Sequence, residues 1–182
     1  MNSAQDNQVV WYAMSAPYRN ELKVQQALKE RFGIEAYVPL RCEVVTRRGR
    51  KERRMTPAVS NLLFAHASRQ ALNEAKPYIP RMQFKTQVEE GRNRLIVIPD
   101  KQMQDFIRVS ASEDEKKLYL LPEEVDIKKG TRVRIIGGPF DGVEGVFIKV
   151  KGARNRRLVV SIEGLLSVAS AEVTPDLIEV IE

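Results

Sequence analysis

The feature that most constrains the fold is a glycine-rich stretch of alternating residues at positions 127–150. Apolar and polar residues alternate on both sides of the segment from Gly137 to Gly142, which is the pattern of two short strands joined by a tight turn. Glycine suits such a turn because it adopts positive φ without strain, and Pro139 fixes its own φ. Further short strands are predicted at residues 157–163, 166–173 and 177–180. Residues 127–182 are therefore predicted to form a small all-β, SH3-like barrel.

Residues 1–110 have a different pattern, in which helices alternate with strands. Strands are predicted at residues 9–15, 36–40, 59–67, 78–84 and 95–98, with a hairpin at 42–56. One helix is predicted from the N-cap Asn20 to the stop at Gly33, a second from Ser68 to Ala75, and a third that opens at Pro99 and Asp100. This mixture predicts an α+β domain with helices packed on an antiparallel sheet.

Composition and charge divide the chain and exclude several classes. Residues 111–126 are mostly acidic or polar and include Pro122, which is typical of a linker, so we expect domains at 1–110 and 127–182. A single cysteine excludes an internal disulfide, and one histidine beside it is too few for a Cys/His zinc site. No apolar run approaches the roughly 18 residues of a membrane span, and the first residues lack a signal-peptide pattern. We expect a soluble, cytoplasmic protein without metal or cofactor.

The predicted strand at residues 59–67 has large apolar side chains on both faces. Leu63 and Ala65 alternate with Leu62 and Phe64. A sheet with one solvated face alternates more cleanly between apolar and polar residues, so both faces of this strand need a cover. Two interpretations stay open: Leu62 and Phe64 form an apolar docking surface for a partner, or the chain covers both faces itself.

The predicted hairpin at residues 42–56 carries the strongest local charge in the sequence. One acid, Glu52, lies among six cations, which are Arg47, Arg48, Arg50, Lys51, Arg53 and Arg54. Arginines on a projecting hairpin suit bidentate contacts with phosphate or carboxylate groups. The net charge of +6 favours nucleic acid or a nucleoprotein as the partner. A solvated loop is the alternative, and the absence of aromatic residues between Val44 and Leu63 argues against base stacking here.

Residues 130–146 resemble the KOW motif at seven positions, which are Gly130, Gly137, Gly138, Pro139, Phe140, Gly142 and Gly145. A KOW barrel after an α+β domain that opens with Trp11-Tyr12 is similar to the NusG family of transcription elongation factors, whose N-terminal domain is called NGN. The resemblance implies that this domain docks on the clamp region of RNA polymerase through Leu62 and Phe64. It also implies that the basic hairpin approaches the opposite side of the polymerase cleft or the non-template DNA.

Two departures from the family pattern resemble specialised paralogues. Val59-Ser60-Asn61-Leu62 stands where the family commonly has Phe-Pro-Gly-Tyr, and Glu163 stands where general members have a phenylalanine that contacts termination factor Rho or ribosomal protein S10. Those two partners are therefore not expected, and the partner of the KOW barrel is left open. The whole pattern is similar to the operon-specific antiterminators of surface-polysaccharide loci, the UpxY group, which implies antitermination at a specific capsular polysaccharide operon.

Other functions stay open beside this one. The first is a general NusG-like elongation factor. The second is a KOW-type protein that binds nascent RNA or the ribosome, for which a basic cluster near the barrel could grip phosphates: Lys149, Lys151, Arg154, Arg156 and Arg157. An enzyme is not expected, because Cys42 and His66 lack a third, orienting group at a recognisable spacing.

Overall fold

The structure is a computed structural model that describes residues 7–112, 117–150, 154–162, 165–170, 173 and 175–181. It divides into two compact units between Asp100 and Lys101. The elements of the first unit, in chain order, are β1 (Val10–Ser15), α1 (Glu21–Phe32), β2 (Glu35–Tyr37), β3 (Leu40–Arg47), β4 (Arg50–Pro57), β5 (Leu63–Ala67), α2 (Arg69–Ala75), β6 (Gln83–Phe84), β7 (Thr86–Glu89), β8 (Arg92–Leu95) and β9 (Val97–Ile98).

The first unit is built on an antiparallel sheet in the order β2-β5-β1-β6, and β9 also pairs with β1. Two separate hairpins extend from it, one formed by β3 and β4 and one by β7 and β8. The helix α1 ends at Gly33, which takes φ of 65°, and the Ser68 hydroxyl caps α2 by accepting from the Ala71 N–H at 3.1 Å. Both helices contribute to a core with one face of the sheet, which includes Met14, Leu28, Leu63 and Leu72.

Four predicted strands of this unit need correction. The strand predicted at 36–40 is instead Glu35–Tyr37, and Leu40 already begins β3. The strand predicted at 59–67 begins only at Leu63, because Asn61 takes φ of 59° and breaks the extended backbone before it. Most of the strand predicted at 78–84 is instead a 3-10 turn at Lys76–Tyr78 and a loop, and only Gln83–Phe84 pairs with β1. The strand predicted at 95–98 is shortened to Val97–Ile98, because residues 92–95 belong to the hairpin of β7 and β8, which no sequence pattern predicted.

In its described residues, the second unit contains one α-helix, three short 3-10 helices and an antiparallel sheet. Its elements are α3 (Asp100–Ser110), β10 (Leu118–Leu120), β11 (Thr131–Ile135), β12 (Glu144–Lys149), β13 (Arg156–Ile162), β14 (Leu166–Ala169) and β15 (Ile178–Val180). The six strands follow the order β10-β14-β13-β12-β11-β15, and we call them the C-terminal sheet. The α+β class, the antiparallel sheet with packed helices and the all-β C-terminal part are confirmed. No helix in the described ranges is long and apolar enough to cross a membrane.

The segment predicted as a linker, residues 111–126, is partly structured. Leu118, Tyr119 and Leu120 pair with Ala169, Val168 and Ser167, so they form the edge strand β10 of the C-terminal sheet. Residues 113–116 of the predicted linker lie outside the described part of the chain. The contacts also place α3 in the second unit, although its residues fall inside the predicted domain 1–110.

A buried carboxylate joins α3 to the C-terminal sheet. Asp105 is 4% exposed, and its carboxylate accepts from Lys101 Nζ at 2.6 and 2.7 Å and from the Glu144 backbone N–H at 3.1 Å. Gln102 Nε2 donates to the Ser161 carbonyl at 2.7 Å. Because a buried carboxylate is costly without such partners, these contacts fix the helix on the sheet.

Candidate docking and nucleic-acid interfaces

The basic hairpin of β3 and β4 is a long, regular arm. Eight cross-strand pairs run from Leu40↔Pro57 at its base to Arg47↔Arg50 at its tip. With a rise of about 3.4 Å per residue, the arm is roughly 27 Å long. Arg48 and Gly49 close it with φ of 51° and 78°, the geometry of a two-residue type I′ turn. The predicted hairpin and its tip are therefore present.

The two faces of the hairpin differ in chemistry. Residues directly opposite each other share a face, so one face carries the charged residues Arg41, Glu43, Arg47, Arg50, Glu52 and Arg54. The other face combines Lys51 and Arg53 with apolar side chains, and Val44 and Met55 on it are 64% and 49% exposed. The hairpin thus offers a partner one face of mixed charge, with four arginines and two glutamates, and one amphipathic face, with two cations among apolar side chains.

Most cations of the hairpin are available for a partner. Within the described residues, Arg47, Arg48, Arg50, Lys51 and Arg54 are exposed and make no ion pair, whereas Arg41 and Glu43 pair with each other at 2.5 Å. Arg47 and Arg50 lie directly opposite each other at the tip, an arrangement of like charges that costs stability. An anionic partner would relieve this repulsion. The strand register therefore places the predicted basic residues together on one hairpin, where such a partner can bind.

Of the predicted docking residues, Phe64 lies inside the first unit's sheet, and Leu62 directly precedes β5. Phe64 in β5 pairs with Ala13 on one side and with Tyr37 on the other. Leu62 and Phe64 are 2% and 0% exposed, while Leu63 and Ala65 belong to the core with α1 and α2. The sequence left two interpretations of this strand open, an apolar docking surface or coverage by the chain itself. In the structure both faces are covered. A docking role for Leu62 and Phe64 stays a prediction, and it needs a state in which they are exposed.

A buried carboxylate holds the segment that leads to these residues. Glu21, the first residue of α1, is 1% exposed, and its Oε1 accepts from the Asn61 backbone N–H at 2.6 Å. Glu21 Oε2 and Asn61 Oδ1 are buried and have no hydrogen-bond partner. The carboxylate lies in the first turn of its helix, where the helix dipole favours negative charge. This link fixes the bend at Asn61 from which Leu62 and Phe64 follow.

The residues that resemble the KOW motif shape the turn between β11 and β12. Gly137, Gly138 and Gly142 take φ of 80°, 71° and 76°, as the predicted turn requires. Gly145 lets β12 approach β13, because a β-carbon there would lie 2.6 Å from the Val159 carbonyl oxygen. Gly130 is similarly crowded by Val146 and Ile148, and Pro139 and Phe140 lie within the turn.

Two cationic side chains of α3 donate hydrogen bonds to backbone carbonyls of this turn. Arg108 donates to the carbonyls of Asp141 and Pro139 at 2.5 and 3.0 Å, and Lys101 donates to that of Gly142 at 2.9 Å. These carbonyls are therefore engaged within the second unit. The motif positions serve the fold of the turn in this structure, and no contact with a partner is needed to explain their residue types.

An ion-pair network links the strands β11, β12 and β15. Arg134 in β11 donates to the Glu144 carboxylate in β12 at 2.8 and 3.1 Å, and its guanidinium lies 3.6 Å from Glu179 in β15. The hydrogen bond from Arg134, followed by its positive charge, lowers the pKa of the Glu144 carboxyl. The same hydrogen bond and the charge of Glu144 raise the pKa of Arg134.

An aromatic and basic surface of the first unit was not predicted from the sequence. The ring of Tyr18 is 72% exposed and lies 4.7 Å from the Arg81 guanidinium. Tyr78, 60% exposed, and Phe32 flank Arg31 at 5.8 and 5.6 Å. These contacts connect the loop after β1, the end of α1 and the loop before β6, which are distant in sequence, so no local motif marks them. We call the residues Tyr18, Arg31, Tyr78 and Arg81 the aromatic–cation surface; exposed rings beside cations suit stacked bases and phosphates.

Cys42 and His66, the pair considered for an enzyme, lie on different sheets. Cys42 is exposed on β3 of the basic hairpin, and His66 lies on β5. The His66 ring stacks on Trp11 at 4.8 Å, with Glu35 3.4 Å and Asp100 3.7 Å from its two nitrogens. The ring stacking and the two carboxylates hold the imidazole in place beside the sheet.

Comparison with known proteins places the first unit in a described family. The family model for NusG, described as "Transcription termination factor nusG", matches residues 9–107. A similar solved structure, described as "Domain interaction in Thermotoga maritima NusG", is 22% identical, with 96% of this chain and 98% of that chain covered and a TM-score of 0.44. No curated protein matches at a comparable level of significance.

Proposed function

Since the chain belongs to the NusG family of transcription factors, we propose that it docks on RNA polymerase through its first unit and promotes read-through of a specific operon. The observation that carries this proposal is the family match over residues 9–107, which spans the sheet, the basic hairpin and α3. The partner on the polymerase is the clamp region, which the resemblance of the sequence to the family implies.

We assign docking to Leu62 and Phe64. Because both side chains are buried, docking requires a state of the protein in which they are exposed. The two side chains are 2% and 0% exposed, so a partner reaches them only when the first unit presents this part of its sheet. Apolar burial of a Leu or Phe side chain contributes about 1.5–3 kcal/mol, which favours docking once the surface is open. The equilibrium between covered and exposed states lowers the apparent affinity for polymerase.

The basic hairpin is the proposed contact with the non-template DNA or with the opposite side of the cleft. Its length of roughly 27 Å allows the tip to reach away from a docked domain. The aromatic–cation surface complements it, because the hairpin offers cations without aromatic rings and this surface offers both. The aromatic–cation surface supports a contact with an exposed single strand, and the basic hairpin supports contacts with phosphates.

Operon specificity is the finer part of the proposal. It rests on the resemblance to the UpxY group of surface-polysaccharide antiterminators, in particular at Asn61, which takes φ of 59° where the family commonly has glycine. Glu163, which argues against Rho and ribosomal protein S10 as partners, lies outside the described residues. The partner of the C-terminal sheet is left open in this proposal.

The function is tested by transcription with purified polymerase on the leader of the neighbouring operon and on an unrelated leader. Read-through that rises only on the neighbouring leader supports operon-specific antitermination. An equal rise on both leaders indicates a general elongation factor instead. No response together with RNA binding would favour the KOW-type RNA-binding alternative.

Matched variants separate the hairpin from general charge effects. Arg50 and Arg92 each begin the second strand of a hairpin, directly after a glycine of a two-residue turn, and both are exposed. Arg50→Gln is expected to reduce read-through, and Arg92→Gln is expected to leave it unchanged. Equal effects of the two variants would contradict a role for the basic hairpin.

The docking assignment has its own matched pair. Leu62 and Leu63 are adjacent leucines that are 2% and 0% exposed, but only Leu63 belongs to the core cluster with α1 and α2. Truncating either to alanine costs about 2–5 kcal/mol of stability. At a temperature where both variants remain folded, Leu62→Ala is expected to weaken polymerase binding and Leu63→Ala to retain it. Retained binding by Leu62→Ala would refute the docking assignment.

A further inference from the structure

We propose that Glu21 is a positioning residue for the basic hairpin. Its hydrogen bond to Asn61 sets the direction in which the hairpin projects from the first unit, and the junction between hairpin and sheet turns when this hydrogen bond is absent. The role rests on the proposed function, because it concerns how the hairpin reaches its partner. Glu21 itself is 1% exposed, so it acts through the hairpin and not by touching the partner.

The basic hairpin is joined to the rest of the first unit by two short connections. Residues 38–39 link β2 to β3, and residues 58–62 link β4 to β5. The strands β3 and β4 form a two-stranded sheet of their own, and the Ala58 N–H extends their ladder by donating to the Pro39 carbonyl at 2.7 Å. Because the ladder continues down to these connections, the hairpin turns about them as one arm.

The two connections are fixed in different ways. In the first, Val38 is 3% exposed and belongs to the core with α1 and α2, and Leu40 packs against that core. In the second, Asn61 takes φ of 59°, and its N–H donates to Glu21 Oε1 at 2.6 Å. Glu21 begins α1, whose Leu28 is buried in the same core. Apolar packing therefore fixes the first connection, and a hydrogen bond to an anchored helix fixes the bend of the second.

Buried polar atoms without partners are concentrated at this junction. In the part of the chain that the structure describes, four buried side-chain oxygens have no hydrogen-bond partner, and three of them belong to Glu21, Asn61 and Thr56, which lies near the base of β4. The fourth is Ser170 Oγ in the second unit. Each of these oxygens would gain hydrogen bonds in water. Solvation therefore favours a turn of the arm that exposes them, and the contact between Glu21 and Asn61 opposes that turn.

The length of the arm amplifies a small change at the junction. The eight cross-strand pairs extend over roughly 27 Å, so a turn of about 10° at the base moves the tip by roughly 5 Å. Arg47 and Arg50 face each other at this tip. A displacement of this size exceeds the roughly 2.7–2.9 Å of a hydrogen bond between arginine and phosphate. The contact of Glu21 with Asn61 thus decides whether the tip arginines meet their partner.

Distances between two spin labels in the full chain measure the direction of the arm. The sequence has one cysteine, so Cys42→Ser removes the native thiol. Thr46→Cys and Lys29→Cys then place labels at two exposed positions, one near the tip and one on α1. Electron–electron double resonance gives the distribution of the label distance. We expect one narrow distribution with Glu21, and a mean shifted by roughly 5 Å or a clearly broader distribution with Glu21→Ala.

Further variants distinguish positioning from a general loss of stability. Glu21→Gln keeps an acceptor for the Asn61 N–H and gains a donor for Asn61 Oδ1, so it is expected to restore the narrow distribution. Glu21→Asp keeps the charge but is one methylene shorter, so it is expected to change the distribution as Glu21→Ala does, with a smaller loss of stability. Glu74→Ala is the matched control, because Glu74 is exposed on α2 and accepts from Gln70 at 2.9 Å.

Circular dichroism identifies a temperature at which all variants are folded, and the distances are compared for proteins equilibrated there. Three results would overturn the proposal: an unchanged distribution in the folded Glu21→Ala and Glu21→Asp variants, an equal change in Glu74→Ala, or a change in Glu21→Gln as large as that in Glu21→Ala.

A double-mutant cycle connects the direction of the arm to read-through. Arg50 lies at the tip, about 24 Å along β4 from Pro57 at its base, and substitutions more than about 10 Å apart normally have additive effects. Because Glu21 positions Arg50, Arg50→Gln is expected to reduce read-through in the unchanged protein and to have little further effect in Glu21→Ala. Additive losses would refute the positioning role. The distance measurement uses neither polymerase nor nucleic acid, so an unchanged protein without read-through refutes only the proposed function.

Discussion

Replacing Glu21 with alanine is expected to loosen the segment that leads to the docking residues. Its carboxylate accepts from the Asn61 N–H at 2.6 Å while 1% of the residue is exposed. A hydrogen bond to a charged group contributes about 1.5–3 kcal/mol. Alanine also removes the buried Oε2, which has no partner and is therefore costly. Because the second effect offsets part of the first, the expected net loss is about 1–2 kcal/mol, somewhat less than the hydrogen bond alone would give.

Thermal unfolding measures this loss directly. For a unit of this size, 1 kcal/mol lowers the unfolding midpoint by about 4–8 °C, so Glu21→Ala is expected to lower it by roughly 4–16 °C. Glu21→Gln keeps one acceptor oxygen and gains a donor, so its loss is expected to be smaller. Glu30→Ala is the control, because Glu30 is exposed on the same helix and accepts from Gln26 at 2.9 Å. A midpoint for Glu21→Ala equal to that of Glu30→Ala would refute the reasoning.

Three further substitutions test the turn, the ion pair and the hairpin tip. Gly145→Ala is expected to destabilise the C-terminal sheet by about 1–3 kcal/mol in urea unfolding, because the added carbon would lie 2.6 Å from the Val159 carbonyl oxygen; an unchanged midpoint contradicts this close packing. Since the hydrogen bond from Arg134 lowers the pKa of the Glu144 carboxyl below its ordinary value, its stabilising contribution is present above that ordinary value and is lost as pH falls through the folded pKa. Glu144→Gln is therefore expected to lower the unfolding midpoint at neutral pH but not at strongly acidic pH, and a difference that persists in acid contradicts the assignment. Arg48→Asn is expected to stabilise the basic hairpin by up to about 1 kcal/mol, because Asn tolerates the positive φ better; hydrogen exchange of the hairpin amides measures it, and faster exchange contradicts it.

Local patterns predicted the elements whose signals lie within a few residues. The basic hairpin follows from strand-forming runs on either side of Arg48-Gly49, and α1 follows from its apolar spacing and the stop at Gly33. The second hairpin also carries a local turn residue, Gly91. With Glu90 it forms the turn, where the two residues take φ of 73° and 50°. Its short strands are mostly exposed and polar, so the alternation that marks a strand is weak there.

Elements that depend on distant partners were not predictable in the same way. Leu118–Leu120 is a strand because β14 lies beside it, about 50 residues later in the chain. The start of β5 depends on the αL conformation of Asn61, which Glu21 stabilises from 40 positions away. The same difference between local and distant signals applies to the candidate interfaces. The basic hairpin was visible as a run of charge, whereas the aromatic–cation surface joins three separate loops and helix ends through tertiary packing.

The strand β10 also decides where the chain can be divided for study. Every residue of β14, Leu166–Ala169, is buried, and one side of its backbone is hydrogen-bonded by β10. A fragment that starts at residue 127 lacks β10 and presents β14 as an open apolar edge, which is a template for self-association. A fragment that starts at residue 117 retains the edge strand. We therefore expect the longer fragment to remain monomeric at concentrations where the shorter one precipitates.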